Sequence, residues 1–436
     1  MKKLLVNLYV SIIRNKEKRR AVREILLART DKPTEKPPNK MIAELFKIVH
    51  FIALILGKKS ERCREFNNIH IITFRPFSPE GGKGGGGAVQ SCNKVLFGES
   101  FNSIPIKYSF REDNKHWLDT NSDLRDLFGA VEFVKQKTKN DKHCAYITHD
   151  YGTAFGLYLL GKKYVLVSHI QGARIEEKKN FGEKFSKISE RLIQYSEKWS
   201  FMNAHKVCFP SEGAYEYFCN SQYKIIKSSE FCKGETLYNT LYVFPEHVKI
   251  KGIEKTDACT TFLSIGQLTT AKGMDRHPDF FAELLKKVQH KIRYIFVGKG
   301  VLQKTILKEL KELKSQNSHF EYIHIPKCSY PEIQYVQEVA DVYLMLHRIS
   351  VFDLATLEVM EKGKTVVLSN VGGNPEFNRE NNIILSDSPD DAVEKFLSCD
   401  AVMLGEKNKE VYKKYFSSDV YKNAYGNVFE KLLDAN

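Results

Sequence analysis

The stretch from residue 341 to 377 limits the fold of this 436-residue chain more than any other part of it. It opens with an apolar run, 342–346, that has the length of a buried strand, and apolar residues then recur at helical spacing over 354–360. Gly363 stands where glycine commonly ends a helix, and 366–368 is a second short apolar run before a glycine-rich turn. Strand, helix, strand and turn make one βαβ unit, so the pattern predicts an α/β protein with a parallel sheet.

One polar residue interrupts the apolar face of this predicted helix. Glu358 lies near the start of the helix, where an open parallel sheet and its ligand meet. A carboxylate there can accept hydrogen bonds from both hydroxyl groups of a ribose. A solvated helix glutamate is the alternative, and this motif alone leaves both interpretations open.

A glycine-rich loop marks the first part of the predicted fold. Six of the seven residues 81–87 are glycine, a strand pattern at 70–74 precedes them, and a helix pattern begins at Ala88. Because glycine has no Cβ atom, the backbone amides of such a loop can approach a phosphate or a sugar at a helix N-terminus. The loop lacks the closing motif of a Walker loop and the spacing of a dinucleotide fingerprint. A flexible linker is the alternative.

Polar residues follow two predicted strands further along. His149 and Asp150 come directly after 145–148, and His169 comes after 164–168. Ligands of open parallel sheets bind beyond the carboxyl ends of the strands, so we expect these side chains at one crevice. Hydrogen-bonded loop residues without a function are the alternative.

Two later strand patterns end in glycine. Residues 261–265 precede Gly266 and Gln267, with Lys272 shortly after, and another strand pattern precedes Gly298. Lysine before glycine is also a common charge at a helix end, so Lys272 gains its weight from the surrounding motifs.

Together these motifs resemble those of the retaining glycosyltransferases of family four, which have the GT-B fold. The family pattern holds two glutamates around a Phe-Gly pair, then a helix, a glycine, a strand and a Gly-Gly-x-x-Glu turn. The matching residues are Phe352, Glu358, Gly363, Gly372, Gly373 and Glu376. Ser350 stands at the position of the first glutamate, and Asp353 stands at the glycine after the phenylalanine.

The resemblance implies a role for residues on both sides of a cleft. Glu358 would hold the nucleotide ribose, Lys272 would neutralise the diphosphate, and His169 would polarise the transferred sugar. Gln267 stands where the family has an arginine, which halves the expected positive charge. The donor-binding residues so implied are Gly84, Gly85, Gly86, Gly87, Gly266, Gln267, Lys272, Gly298, Ser350, Phe352, Asp353, Leu354 and Glu358.

The same resemblance implies two Rossmann-like domains whose parallel sheets face a cleft. The predicted segments are an N-terminal helical extension (1–68), an acceptor-side domain (69–255), a nucleotide-sugar-binding domain (256–410) and a helix that crosses back to the first domain (411–436). His149 and Asp150 would lie on the acceptor side. No Asp-x-Asp pair occurs in the chain, and the family implies neither a metal nor a cofactor.

The charge is concentrated in the N-terminal extension. The net charge is +14, and residues 1–65 hold 17 Lys and Arg against 7 Asp and Glu, so the body of the chain is nearly neutral. A nucleic-acid-binding domain would carry this charge on its folded part, so no nucleic-acid partner is expected. Apolar segments flanked by basic residues predict a membrane surface as partner through residues 1–60. Packing of 41–56 on the body of the protein is the alternative.

The predicted function is transfer of a sugar from a nucleotide diphosphate sugar to a hydroxyl of a glycan or lipid-linked acceptor. The family implies retention of configuration and a place in the synthesis of a bacterial surface polysaccharide, capsule or lipopolysaccharide. Nine dispersed cysteines indicate reduced thiols, so we expect a cytoplasmic protein at the inner face of the cell membrane. A non-catalytic partner subunit with a decayed donor site and a nucleotide-sugar epimerase are the alternatives.

Overall fold

A computed structural model describes residues 66, 68–76, 87–101, 104–111, 122–141, 143–180, 183–242 and 247–434. The predictions made for the N-terminal extension and for glycines 84–86 lie outside these residues. None of the helices in the described part of the chain combines the length and the apolar character that a membrane crossing requires.

The first domain contains a six-stranded sheet in the order β2-β3-β1-β4-β5-β6. Its strands are β1 (Asn68–Pro76), β2 (Ser100–Phe101), β3 (Ile104–Arg111), β4 (Cys144–Thr148), β5 (Tyr164–Val167) and β6 (Lys206–Cys208). Its helices are α1 (Gly87–Leu96), α2 (Ser122–Lys137), α3 (Tyr151–Leu159), α4 (Arg174–Asn180), α5 (Lys187–Met202) and α6 (Glu212–Asn220). Only the pairing of β2 with β3 is antiparallel among the ladders of this sheet.

The second domain repeats the arrangement with a fully parallel sheet in the order β12-β11-β10-β7-β8-β9. Its strands are β7 (Cys259–Ile265), β8 (Lys291–Val297), β9 (Phe320–Ile325), β10 (Val342–Met345), β11 (Thr365–Ser369) and β12 (Ile384–Ser386). Its helices are α7 (His277–Lys287), α8 (Gln303–Gln316), α9 (Tyr330–Val339), α10 (Leu354–Glu361), α11 (Pro389–Leu397) and α12 (Ala401–Tyr415). The predicted βαβ unit is therefore β10, α10 and β11.

Continuous apolar runs form the central strands because helices cover both faces of each sheet. Every residue of β4, β10 and β11 is buried. The motif glycines and polar residues consequently lie at the strand ends, where the apolar runs stop.

The C-terminal helix α13 (Ser418–Asp434) lies on the first domain. Tyr421, Tyr425 and Phe429 from this helix belong to one apolar cluster with Ile69 and Ile147 of the first sheet. Val411 and Tyr412 of α12 are buried in the core of the second domain, so this core extends past the predicted boundary at residue 411. The chain leaves that domain only after α12 ends.

Candidate functional site

Each sheet has a switch point at which the strand order reverses, and there the loops after two neighbouring strands diverge. In the second domain, β7 lies beside β10, so the loop 266–273 meets the loop 346–353. Arg348 and Ile349 both donate backbone hydrogen bonds to the Ala271 carbonyl. Gly273 has φ +65°, and a Cβ atom on it would lie 1.7 Å from the Leu346 carbonyl oxygen, so only glycine permits this contact.

Lys272 and Asp353 form an ion pair where these two loops meet. The Lys272 ammonium lies 3.1 Å from Oδ1 of Asp353, and the Tyr343 hydroxyl donates to Oδ2 at 3.0 Å. Burial opposes ionisation of Asp353, but the charge of Lys272 and the hydrogen bonds from Lys272 and Tyr343 favour it, and the pKa of Asp353 lies below its ordinary value. The predicted phosphate-binding lysine thus already has an anionic partner in the chain.

His347 lies beside this pair and was not among the predicted site residues. Its Nε2 is 3.5 Å from the Lys272 ammonium, and its side chain is fully buried. Burial, with Lys272 nearby, lowers the pKa of His347 to about 3, so the imidazole is neutral at physiological pH.

Glu358 lies in α10 and is almost completely buried, so it is not a solvated helix residue. Gln337 donates to one carboxylate oxygen at 2.5 Å, and the Tyr330 hydroxyl donates to the other at 3.1 Å. Burial raises the pKa of Glu358 to about 7, although both hydrogen bonds favour the ionised form. Each oxygen retains a second lone pair for a ligand hydroxyl.

The other residues of this domain that were predicted to bind the sugar donor have different surroundings. The Phe352 ring is buried against Phe377, at 4.1 Å between centroids, so its side chain serves the core. The Ser350 hydroxyl is buried and has no hydrogen-bond partner among the residues that the structure describes. Gln267 is exposed beside Gly298, whose close approach to Gly266 leaves no room for a Cβ atom.

In the first domain, the predicted histidines do converge. His149 Nδ1 and His169 Nε2 are 3.0 Å apart, and the Tyr425 hydroxyl lies 3.0 Å from His149 Nε2. Both histidines line a cavity of about 310 Å³ together with Gly87, the first residue of α1. Burial, aided by the neighbouring His169, lowers the pKa of His149 well below its ordinary value.

Asp150 also lines this cavity, but its carboxylate holds the fold together. It caps α3 by accepting from the Thr153 amide at 2.8 Å, and it accepts from the Thr73 hydroxyl and the Phe74 amide at 3.0 Å each. These hydrogen-bond donors already occupy the Asp150 carboxylate, which we expected to lie on the side of the sugar acceptor.

The two sites face each other across the domains. A Cβ atom on Gly87 would lie 3.4 Å from Cδ1 of Leu354, which begins α10. The last residue of the glycine loop in the first domain therefore touches the helix that carries Glu358.

A possible cation-binding group lies away from this cleft. His70, Asp141 and Cys144 bring ligand atoms within 4.8 Å of one another. His70 and Cys144 lie in the first halves of β1 and β4, away from the carboxyl ends. Lys107 lies 2.6 Å from Asp141 and competes with any cation for that carboxylate.

Comparison with known proteins identifies the second half of the chain. Residues 245–415 match the sequence profile of the family described as glycosyl transferases group 1. The second domain is a group 1 glycosyl transferase domain. No curated protein matches the chain.

Solved structures resemble the chain over both domains. A sucrose-phosphate synthase from Thermosynechococcus elongatus superposes with a TM-score of 0.58, covering 85% of this chain and 100% of its own, at 14% identity. The HepE protein of Anabaena in complex with UDP gives 0.55, with 84% and 100% coverage at 13% identity. The lipopolysaccharide outer core galactosyltransferase WaaB gives 0.54, with 84% and 99% coverage at 16% identity.

These findings confirm the predicted GT-B fold. With its group 1 domain, the chain is a glycosyltransferase that resembles the family-four enzymes. The expected reaction is accordingly sugar transfer from a nucleotide sugar.

Several residues of the site were missed by the sequence analysis. Gln337, Tyr330 and His347 carry no motif signal, and Tyr425 lies far from the rest of the site in the chain. Asp353 was among the predicted donor-binding residues, but its ion pair with Lys272 was not predicted.

Proposed function

We propose that the chain transfers a sugar, with retention, from a nucleotide diphosphate sugar to a hydroxyl of a glycan or lipid-linked acceptor. Synthesis of a bacterial surface polysaccharide, capsule or lipopolysaccharide, is the proposed setting. The observation that carries the proposal is the arrangement of Lys272 and Glu358 on loop and helix at one switch point of a group 1 domain. The neighbours in complex with UDP and in lipopolysaccharide assembly support it.

In this proposal the donor lies along the carboxyl ends of β7 and β10. Glu358 accepts hydrogen bonds from the ribose hydroxyls through its remaining lone pairs. The Asp353 side chain does not cap the first turn of α10, and in this proposal the backbone amides there bind a phosphate oxygen together with Lys272. These groups act on the charge of the leaving diphosphate, and no metal or cofactor is proposed.

The first domain supplies the acceptor side. His169 would contact the transferred sugar, and His149 would orient His169 through their hydrogen bond. The cavity that both residues line would admit the acceptor hydroxyl.

A thermal-shift experiment against nucleotides and nucleotide sugars tests donor binding. A ligand present at 100 times its dissociation constant should raise the free energy of unfolding by about 2.7 kcal/mol. Glu358→Ala should abolish the shift, whereas Glu361→Ala, on the same helix, should keep it. Transfer to glycan acceptors with the nucleotide sugar that gives the shift, and the anomeric configuration of the product, then test the reaction.

A non-catalytic partner subunit with a decayed donor site is the second candidate. Ser350 in place of glutamate, Gln267 in place of arginine and the pairing of Lys272 with Asp353 favour it. An intact protein that no nucleotide stabilises would support this candidate against the first.

We also propose that residues 1–60 attach the protein to the inner face of the cell membrane. The support is their basic and apolar composition. Binding to anionic liposomes should weaken with salt and disappear when these residues are deleted. Equal binding by the truncated protein would contradict the proposal.

A further inference from the structure

The ion pair between Lys272 and Asp353 is shielded from water. The exposed fractions of the two side chains are 20% for Lys272 and 14% for Asp353. Opposite charges in such a setting attract each other more strongly than an exposed pair does, because less water screens them. The attraction between Lys272 and Asp353 is therefore stronger than that of an ion pair on the surface.

The Asp353 carboxylate serves Lys272 and not the helix that it precedes. Asp353 occupies the N-cap position of α10, yet its side chain makes no capping hydrogen bond. Its two oxygens bind Lys272 and the Tyr343 hydroxyl instead. Asp353 therefore stands between the start of α10, which its side chain does not cap, and Lys272, which its carboxylate binds.

The two meeting loops offer a phosphate little free positive charge. Arg348 is the other cation on them, and it forms two hydrogen bonds with Asp275, at 2.6 and 2.7 Å. His347 is buried and neutral, and Gln267 carries no charge. Among the described residues of these loops, each cation has its own carboxylate.

We propose that Asp353 is an internal counter-ion of Lys272 and sets the affinity of this site for the diphosphate of the donor. The proposal rests on the proposed function, because that function places the diphosphate at Lys272. A bound diphosphate competes with Asp353 for the ammonium group. Because the carboxylate must be displaced, the net attraction of Lys272 for the diphosphate is weaker. A neutral residue at position 353 leaves the whole charge available.

The test measures binding of inorganic pyrophosphate to the full chain by calorimetry, since this probe needs no knowledge of the base. Asp353→Asn removes the charge while its amide oxygen still accepts from Tyr343. We expect pyrophosphate to bind roughly tenfold more tightly to this variant, which equals about 1.4 kcal/mol. We also expect the affinity of this variant to fall more steeply with salt, because salt screens the attraction between an unpaired cation and the pyrophosphate anion.

A matched control removes a carboxylate from another ion pair of the same domain. Glu321 binds Arg293 and Lys291 in the first half of β8, away from the cleft. Glu321→Gln therefore changes the net charge equally and should leave pyrophosphate affinity at the wild-type level. Asp353→Gly, the residue of the family pattern, repeats the test if the asparagine variant unfolds.

Lys272→Ala tests the pair from its other side. In the wild-type background it leaves the Asp353 carboxylate unpaired and should weaken pyrophosphate binding, whereas combined with Asp353→Asn it should return the affinity to about the wild-type level. Equal affinity of wild type and Asp353→Asn, or a double variant that keeps the gain of Asp353→Asn, would overturn the proposal.

Nucleotide binding separates this inference from the proposed function. If UDP, GDP and ADP bind none of the variants while pyrophosphate gains its affinity, the counter-ion role stands and the proposed function fails. If a nucleotide binds wild type and Asp353→Asn equally, the proposed function stands and the counter-ion role fails.

Discussion

Asp353 and Glu358 lie in one short segment, but their pKa values are shifted in opposite directions. Burial opposes ionisation of Asp353, but the charge of Lys272 and the hydrogen bonds to the carboxylate favour it, and the pKa of Asp353 lies below its ordinary value. Glu358 is five residues further on and accepts hydrogen bonds from the neutral side chains of Gln337 and Tyr330, and burial raises its pKa to about 7. The chemical partner of each group, and not its depth alone, determines its charge.

The raised pKa of Glu358 predicts how stability depends on pH. Between the ordinary pKa of 4.5 and about 7 the folded state holds a proton at Glu358 that the unfolded state has lost. The contribution of Glu358 to the free energy of unfolding should therefore fall, by roughly 3 kcal/mol, as the pH rises through this window. The measurement is urea unfolding of wild type and Glu358→Gln at pH 4.5, 5.5, 6.5 and 7.5.

The difference between the two proteins isolates this residue from other titrating groups, such as Glu197, whose pKa burial raises to about 8. A difference in unfolding free energy that stays constant across the series would contradict the assignment.

At the scale of elements, α13 links the end of the chain to the histidine pair of the first domain. Tyr425 is fully buried, and its ring lies nearly parallel to that of His149, at 14° between the planes. The hydroxyl contact to His149 Nε2 continues through Nδ1 to His169. Helix α13, which follows the second domain in the chain, thereby orients His149 and His169 beside the cavity of the first domain.

Tyr425→Phe should remove the hydrogen bond to His149 without changing the shape of the core. The His149 nitrogen loses its buried partner, which should cost about 1–3 kcal/mol of unfolding free energy. The ¹⁵N chemical shifts of the His149 and His169 rings should also change, because the tautomer of His149 depends on this hydrogen bond.

Tyr421→Phe is the control, since Tyr421 lies on the same helix and packs on the Tyr425 ring at 5.3 Å. Unchanged histidine shifts in Tyr425→Phe, or equal changes in both variants, would show that the hydroxyl does not orient the pair.

At the scale of the whole molecule, the two domains meet through backbone contacts at the glycine turn of the family motif. The Glu376 carboxylate accepts hydrogen bonds from the Glu212 and Gly213 amides, at 3.0 and 2.9 Å, and so lies at the start of α6 in the other domain. A negative charge is favourable at a helix N-terminus. A Cβ atom on Gly213 would lie 2.1 Å from the backbone of Gly372, so the turn and the helix are in direct contact.

Glu376→Ala should loosen this contact between the domains. Loss of two charge-assisted hydrogen bonds should cost about 2–3 kcal/mol of docking free energy, because two amides at the start of α6 lose their charged acceptor. Spin labels placed on the outer helices of each domain should report a longer and broader distance distribution.

Glu380→Ala is the control, because Glu380 binds Lys414 within the second domain. Distance distributions that do not differ between Glu376→Ala and wild type would show that other contacts hold the domains in place.

The sequence by itself determined the elements and the ends of the strands on which the site is built. Predicted strand runs of three to five mostly apolar residues lie in β4, β7, β8, β10 and β11, because a strand that is buried on both faces of a sheet has a continuous apolar sequence. Gly266 after β7 and Gly363 at the end of α10 located the segments that carry Lys272 and Glu358, because glycine is common in tight turns and at helix ends.

Only the tertiary structure decided the partners of these residues. Asp353 meets Lys272 across 81 residues and Tyr425 meets His149 across 276, and neither pairing leaves a periodic signal in the chain. Periodicity records which face of an element is apolar, over a few residues. Which charge a side chain meets depends on how the loops after distant strands converge, and this geometry decides whether Lys272 is available to a phosphate or held by the protein itself.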